Sequence, residues 1–332
     1  MKRSTEYVIG INIGGTNCSV SLADFEAQLV DREVFATKEF PGPQENIENL
    51  NRLACRLIER CREESGKAPL AIGISCGGPL DSRQGRVLSP PNLPGWDDVP
   101  IVDMVHEATE LPAYLENDAN AGVLAEFRFG AGQGFSNIIF LTFGTGMGAG
   151  IILNEALYRG TSDMAGEVGH VRMTDEGPIG YGKAGSFEGY CSGSGIAYIA
   201  REAARKILSS GGRCEFCATP DSIDEIEARN VAAAAAAGDV EALSVLEFSA
   251  GYLGRGLALL VDILNPQCIV IGSIYTRNVQ IFKPIIERVL AEECIPRSLE
   301  VCSILPSAIG EKVGDYGAVS VALYGLGAFT RP

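Results

Sequence analysis

One device occurs twice in this chain, and it limits the fold more than any other feature. Tyr7-Val8-Ile9-Gly10-Ile11-Asn12-Ile13 is a short apolar run that stops at Gly14-Gly15-Thr16, after which Cys18-Ser19-Val20-Ser21-Leu22 alternates like a returning strand. Asn137-Ile138-Ile139-Phe140-Leu141-Thr142-Phe143 likewise reaches Gly144-Thr145-Gly146, and Gly148-Ala149-Gly150-Ile151-Ile152-Leu153 comes back. Neither turn has the G-x-x-x-x-G-K-[ST] spacing of a nucleotide loop, and neither leads into a helix as a Rossmann fingerprint does. Between two strands, glycine lets backbone N–H groups approach an anion, and threonine adds a hydroxyl donor without bulk. A tight hairpin needs glycine for conformational reasons alone. A single turn is therefore weak evidence; a pair can hold a polyphosphate from both sides.

The segments around these hairpins read as α/β. Glu45 to Ser65 carries Ile47, Leu50, Leu53, Leu57 and Ile58 at helical spacing, and Leu70 to Cys76 reads as a buried strand. The prolines of Ser89-Pro90-Pro91-Asn92-Leu93-Pro94-Gly95-Trp96 predict an ordered loop. Helices are predicted around Gly195 to Leu208, Val240 to Leu264, Ile281 to Glu293 and Gly317 to Leu326, with a strand at Cys268 to Ile271. The run Ala232 to Ala237 reads as plain high-propensity helix.

A length of 332 residues with 46% hydrophobic and 21% charged content suits one folded unit of two lobes. The net charge of −15 repels phosphate backbones and anionic membranes. The start has no apolar signal core, and no apolar run looks long enough for a membrane span, so a cytoplasmic protein with no nucleic-acid or membrane partner is expected. The ten cysteines are scattered, often inside apolar segments, as buried reduced thiols would be. Cys214-Glu215-Phe216-Cys217 is the one close pair, and with only His106 and His170 as histidines zinc is not expected.

Three segments carry candidate chemistry. Leu115-Glu116-Asn117-Asp118-Ala119-Asn120-Ala121 runs from a strand into a helix, and one of its polar residues serves as the N-cap. The surplus polar residues suit a carboxylate that orients a hydroxyl and accepts its proton, beside an amide that fixes the ring bearing it. Gly166-Glu167-Val168-Gly169-His170 sets a histidine three residues after a carboxylate, with glycines that let the chain pass close to a ligand. Glu188 adds a further carboxylate, and such mixed donor and acceptor sets suit sugar hydroxyls.

In this order, the segments resemble the ROK (repressor, open reading frame, kinase) family across nearly the whole chain. Asn12-Ile13-Gly14-Gly15-Thr16 is similar to the family's Asp-x-Gly-Gly-Thr, and residues 116–121 match its Glu-Asn-Asp-Ala-Asn-Ala without change. Gly144 to Gly150 resembles its second phosphate hairpin, Gly166 to His170 its Gly-Glu-x-Gly-His, and Asn265-Pro266 with Ile269-Val270-Ile271-Gly272-Ser273 its adenosine-side strand and turn. The resemblance implies an actin-like ATPase, ribonuclease-H-like α/β fold of two lobes with an interlobe cleft. Residues 1–113 would form a small lobe and 114–312 a large one, with a C-terminal helix at 313–332 packing back on the small lobe.

It further implies an ATP-dependent sugar kinase that passes the γ-phosphoryl group to a hexose, with the 6-hydroxyl of glucose or a related aldohexose first. N-acetylmannosamine, N-acetylglucosamine and fructose are the alternatives. Asp118 would be the base, and Gly78, Asn92, Asn117, Glu167, His170 and Glu188 would hold the sugar. Gly14, Gly15, Thr16, Gly144, Thr145 and Gly146 would meet phosphates, Gly272 would lie near the adenosine, Mg²⁺ would accompany ATP, and the protein would be a homodimer.

Two positions depart from the family pattern. The Asp before Gly-Gly-Thr is Asn12, which keeps an oxygen near the Mg²⁺ water shell but removes its charge. The Cys-rich zinc module after the histidine is replaced by Ile179 to Glu188 without cysteine, where packing through Tyr181 and Phe187 is expected to support the loop. These changes raise a second reading, a catalytically weak sugar sensor. A regulator reading is disfavoured by the charge and by the start of the first hairpin at about Tyr7, which leaves no room for a DNA-binding segment.

Overall fold

The computed structural model describes residues 5–217 and 219–329; Met1 to Ser4, where the lack of a signal core was read, and the last residues of the 313–332 segment lie outside them. The chain divides into two compact units. Met1–Ser136, Gly150–Ala165 and Ala308–Pro332 form the first, and Asn137–Ala149 with Gly166–Ser307 the second. The sequence suggested a division at 113/114; here the helix that opens at Asp118 belongs to the first unit.

In the first unit β1 (Tyr7–Ile13), β2 (Asn17–Asp24) and β3 (Leu29–Ala36) form an antiparallel meander. Then α1 (Pro43–Ser65) follows, started by a proline and stopped by Gly66 in the left-handed region at φ 72°. After it come β4 (Ile72–Cys76), the small hairpin β5 (Leu80–Asp81) and β6 (Arg86–Val87), α2 (Ile101–Thr109), β7 (Ala113–Asn117) and α3 (Asp118–Phe129). The sheet order is β3-β2-β1-β4-β7, with β1, β4 and β7 parallel.

The second unit takes up β8 (Ile138–Phe143) and β9 (Met147–Leu153), and the chain re-enters the first unit at Gly150, where β10 (Ala156–Leu157) pairs with the end of β9. There follow β11 (Ile179–Gly180), β12 (Lys183–Ala184), α4 (Phe187–Tyr190), α5 (Gly193–Ser209), α6 (Ala228–Ala236) and α7 (Val240–Leu264). Next are β13 (Cys268–Ile271), α8 (Ile274–Arg277), α9 (Val279–Glu293), α10 (Pro296–Leu299) and β14 (Ser303–Pro306), before α11 (Val313–Gly325) returns to the first unit. Strands β8, β13 and β14 are parallel neighbours.

The first sheet has two unlike faces. Ile9, Ile11 and Ile13, with Cys18, Val20, Leu22, Ile72, Ile74 and Cys76 beside them, enter one core with Ile47, Leu50, Leu53 and Leu57 of α1. The alternate positions, Gly10, Asn12, Ser19, Ser21, Gly73 and Ser75, are small or polar, and α11 lies over them. This explains the two glycines: a Cβ on Gly73 would overlap the Ala318 carbonyl oxygen and the Ala322 amide, and one on Gly10 would stand 2.9 Å from the Val319 nitrogen. Because this contact is backbone on backbone, no rotamer relieves it. Gly73→Ala is expected to destabilise the protein by about 1–3 kcal/mol, read as a lower melting temperature; an unchanged melting temperature would contradict the close approach.

Helix α7 has the bounds read from the sequence, but one expectation about it is corrected. It is long and apolar enough to cross a membrane by length and composition, with mean hydropathy 1.2 over its most apolar window, whereas the sequence reading found no such run. The cause is packing: α5, α6 and α9 lie against it, and 61% of that window is buried, as in a core helix. Each of the ten cysteines is a free thiol, and eight are buried.

Candidate functional site

In the first unit, candidate residues gather at the strand ends. Asn117 caps α3, its side-chain oxygen accepting from the Asn120 amide at 2.7 Å, so Asp118 is the first helical residue and is exposed. Aligned N–H dipoles at that position favour a charged carboxylate. Burial pushes the nearby Cys76 thiol up, and the charge of Asp118 pushes it further, which places that carboxylate beside the end of β4. Gly78, joined to Pro79 by a cis peptide, faces Asn117, whose Cβ lies 4.0 Å from where a Gly78 Cβ would stand.

Two of the surplus polar residues are scaffold. Glu116 is 3% exposed, is paired with Arg159 and accepts from the Asn120 side-chain Nδ2 at 3.0 Å. Burial pushes the Glu116 carboxyl up, and Arg159 and Asn120 pull it back. The network anchors the strand end that presents Asn117 and Asp118.

The first glycine turn is tied at its base: the Gly14 amide donates to the Asn17 carbonyl at 3.1 Å, and the Thr37 hydroxyl to the Gly14 carbonyl at 2.6 Å. Gly15 and Thr16 are exposed at its tip. Asn92 lies against the turn, its Cβ and carbonyl oxygen 3.1 Å from the place of a Gly15 Cβ. The proline-rich loop that carries Asn92 is ordered by buried Leu93 and Trp96 and by a hydrogen bond from the Ser89 amide to the Trp96 carbonyl. Asn12 stands between Ser19 and Ser75 on the sheet, under Gly314 of α11. The Ser75 hydroxyl is buried there, with no hydrogen-bond partner among the described residues.

In the second unit Glu167, His170 and Glu188 form one cluster. Burial pushes the Glu167 carboxyl up, His170 pulls it down and Glu188 pushes it up again, although part of the Glu167 surface is open to solvent. Glu188 accepts the Met147 amide at 2.9 Å and lies 2.8 Å from where a Gly146 Cβ would stand. One carboxylate thus joins the Glu-x-x-His loop to the second glycine turn.

His170 is held from outside the cluster. The Tyr181 ring meets its imidazole edge to face at 4.8 Å, and Lys183 donates to its carbonyl at 2.7 Å. Phe187 acts from farther away: its amide donates to the Val171 carbonyl, while its ring is buried against Gly256 of α7.

The second turn docks on the start of α5, where the Gly193 amide donates to the Gly144 carbonyl at 2.7 Å and the Ser194 hydroxyl to the Thr145 carbonyl at 3.0 Å. Beside it opens a cleft of about 790 Å³. Gly272 is buried beneath, bonded to the Leu141 carbonyl, and the next residue, Ser273, lines the cleft. Sequence reasoning missed most of this wall. Ala197 and Arg201 of α5 line it, as do Ala232, Ala233 and Ala236 of the alanine run, whose small side chains leave space open. Among the described residues no group of three His, Cys, Asp or Glu is arranged for a metal ion; Cys214 and Cys217 are buried thiols in a turn.

The ROK family model matches residues 8–324. A glucokinase of Halalkalibacterium halodurans is 32% identical over 318 residues, covering 95% of this chain and 94% of that enzyme. A xylose repressor of Caldicellulosiruptor bescii is 33% identical over 271 residues, 80% of this chain and 65% of the repressor. The crystal structure of a ROK family glucokinase from Streptomyces griseus, in complex with glucose and AMPPNP, is 30% identical with a TM-score of 0.74, over 96% of this chain and 100% of that one. The fold is that of the actin-like ATPases.

Proposed function

Because the chain belongs to the ROK family, we propose that it is an ATP-dependent sugar kinase acting on a hexose, the 6-hydroxyl of glucose first. The observation that carries this reading is the Glu188 carboxylate, which ties the Glu167 and His170 loop to the Gly146-Met147 turn and so couples hydroxyl recognition to phosphate placement. Similarity to the two glucokinases supports it.

In this mechanism Asn92, Asn117, Glu167, His170 and Glu188, with the Gly78 backbone, orient the sugar ring. Asp118 accepts the proton of the attacking hydroxyl, and the turns at Gly14 to Thr16 and Gly144 to Gly146 hold the phosphates in line. Phosphoryl transfer asks mainly for alignment and charge neutralisation. The Asn12 amide, on the sheet face with the unpartnered Ser75 hydroxyl, offers a hard but neutral oxygen. That fits a Mg²⁺ that brings phosphate and water as its other ligands. When bound, the ion neutralises charge on the phosphoryl oxygens.

The repressor similarity supports a second reading, a sugar-responsive regulator or sensor. Sugar-stimulated ADP release with Mg-ATP, across hexoses and N-acetylhexosamines, decides between them. ADP formation with one sugar supports the kinase. A raised melting temperature without ADP formation would overturn it.

The same site predicts a pH dependence. Ionised Glu167 offers both oxygens as charged acceptors to hydroxyls, protonation turns one of them into a donor, and its carboxyl is raised above the ordinary value of 4.5. Lowering the pH through that raised value protonates it, so the sugar KM is expected to rise on the acid side before an ordinary glutamate would titrate. Glu167→Gln should remove this limb from the pH profile.

A further inference from the structure

Tyr181 stands where the backbone favours another residue. Gly180 of β11 pairs with Lys183 of β12, so Tyr181-Gly182 is a two-residue hairpin loop, and φ is positive at both of its positions, 46° and 77°. That is the type I′ pattern, whose first position is filled by asparagine, aspartate or glycine. A bulky side chain there is strained. Such strain persists where the surroundings over-determine it, and it collects at ligand clamps.

The hairpin is braced without the ring. Arg172 donates to the Ala184 carbonyl at 2.8 Å, the Gly185 amide to the Pro178 carbonyl at 2.9 Å, and the Ser186 hydroxyl to the Gly180 carbonyl at 3.3 Å. An asparagine at position 181 would close the same turn without strain. Burial does not account for the ring either, because Tyr181 is 60% exposed.

The contact that the ring does make is with His170, edge to face at 4.8 Å and 84°. It sets the direction of the ring and leaves much of the ring surface open beside the imidazole. Ile179 on the same hairpin and Val171 next to His170 are exposed as well, so the chain around that imidazole offers apolar surface to solvent. A pyranose carries hydroxyls on its rim and C–H groups on its faces, and the negative face of an aromatic ring suits those C–H groups.

We propose that Tyr181 forms a second sugar subsite, its ring stacking on the second unit of a glucosyl disaccharide whose first unit is held by Glu167 and His170. The inference rests on the reading of those two residues as sugar-binding and names a substrate class for it, disaccharides with a free 6-hydroxyl on the glucosyl unit. In that reading Asp118 takes the reacting hydroxyl, so Glu167 and His170 hold hydroxyls elsewhere on the ring. A unit linked on their side reaches Tyr181.

Calorimetry compares cellobiose with methyl β-glucoside and maltose with methyl α-glucoside, pairs that share a linkage and differ in the second ring. The wild type is expected to bind one disaccharide roughly threefold to tenfold more tightly than its methyl glucoside. Because Tyr181 also touches His170, the readout is the ratio within a pair: loss of support for the imidazole lowers both ligands alike. Tyr181→Ala is expected to abolish the preference and Tyr181→Phe to keep it. Tyr181→Asn is expected to abolish it while melting no lower than the wild type, since asparagine suits the turn.

Disaccharides bound no more tightly than their methyl glucosides would overturn the subsite. Equal losses for both members of a pair in Tyr181→Ala would do the same, as would a clear fall in melting temperature in Tyr181→Asn; either result makes the ring a support for His170 alone. A wild-type protein that binds neither glucose nor any glucoside would overturn the sugar reading of Glu167 and His170 itself, a result distinct from the others.

Discussion

Asp118→Asn is expected to lower kcat by roughly 10²–10⁴-fold, the usual contribution of a positioned general base, while leaving the sugar-induced rise in melting temperature intact. The substitution isolates the charge. Asn117 caps the helix through its own side chain, so the start of α3 does not depend on Asp118, and an asparagine occupies the same exposed volume. What is lost is the charge on which the proposed role as proton acceptor rests. A variant with near-normal turnover would remove Asp118 from the mechanism, and one that no longer responds to sugar would make it a binding residue instead.

Arg159→Met is expected to destabilise the protein by about 3–5 kcal/mol, the cost of leaving one partner of a buried ion pair uncompensated. Glu116 is the buried partner; Arg159 is more open, and its guanidinium also lies over the Tyr324 ring at 5.3 Å. The loss should depend on pH. With Arg159 gone, burial holds the Glu116 carboxyl further above its ordinary 4.5, so the folded state binds more protons than the unfolded one. The variant should therefore gain stability as the pH falls toward 4.5 and lose it as the pH rises through the folded value. Glu116→Gln combined with Arg159→Met should recover much of the loss. Thermal denaturation against pH checks both, and a variant as stable as the wild type at neutral pH would deny that the pair anchors the Asn117-Asp118 corner.

These two sites show where sequence reading stops. A cap in the Glu116 to Asn120 segment, the α7 bounds and both hairpins were legible because each is local: a cap needs residues three apart, and a hairpin needs only its own turn; that Asn117 rather than Asp118 is the cap came from the structure. Glu116 looked like part of the chemistry because its partner, Arg159, is 43 residues away and nothing in its neighbourhood announces an ion pair. The glycines of β1 and β4 gave no sign of why they are small until α11, more than 240 residues later, was found lying across them. The alanine run read as plain helix for a sound reason, since propensity alone explains it; that the same small side chains open a cleft wall is a fact of packing. Tyr181 was read as packing for its loop, but its strain exists only in the folded backbone.

The support for His170 was partly legible. Tyr181 does meet the imidazole, whereas Phe187 secures the following helix against α7, and the contact from Lys183 was not foreseen. Lys183 stands two residues after Tyr181 on the returning strand of a tight hairpin, a position whose role depends on the turn geometry.

The central claim is transfer of a phosphoryl group from ATP to a sugar hydroxyl, and phosphorus NMR of the purified protein with Mg-ATP and glucose tests it most directly. The account predicts one equivalent of ADP for each sugar phosphate formed, with the new resonance assigned to the 6-position. No sugar phosphate from glucose or any other hexose or N-acetylhexosamine, while sugar still raises the melting temperature, would contradict it and leave a sensor built on a kinase fold.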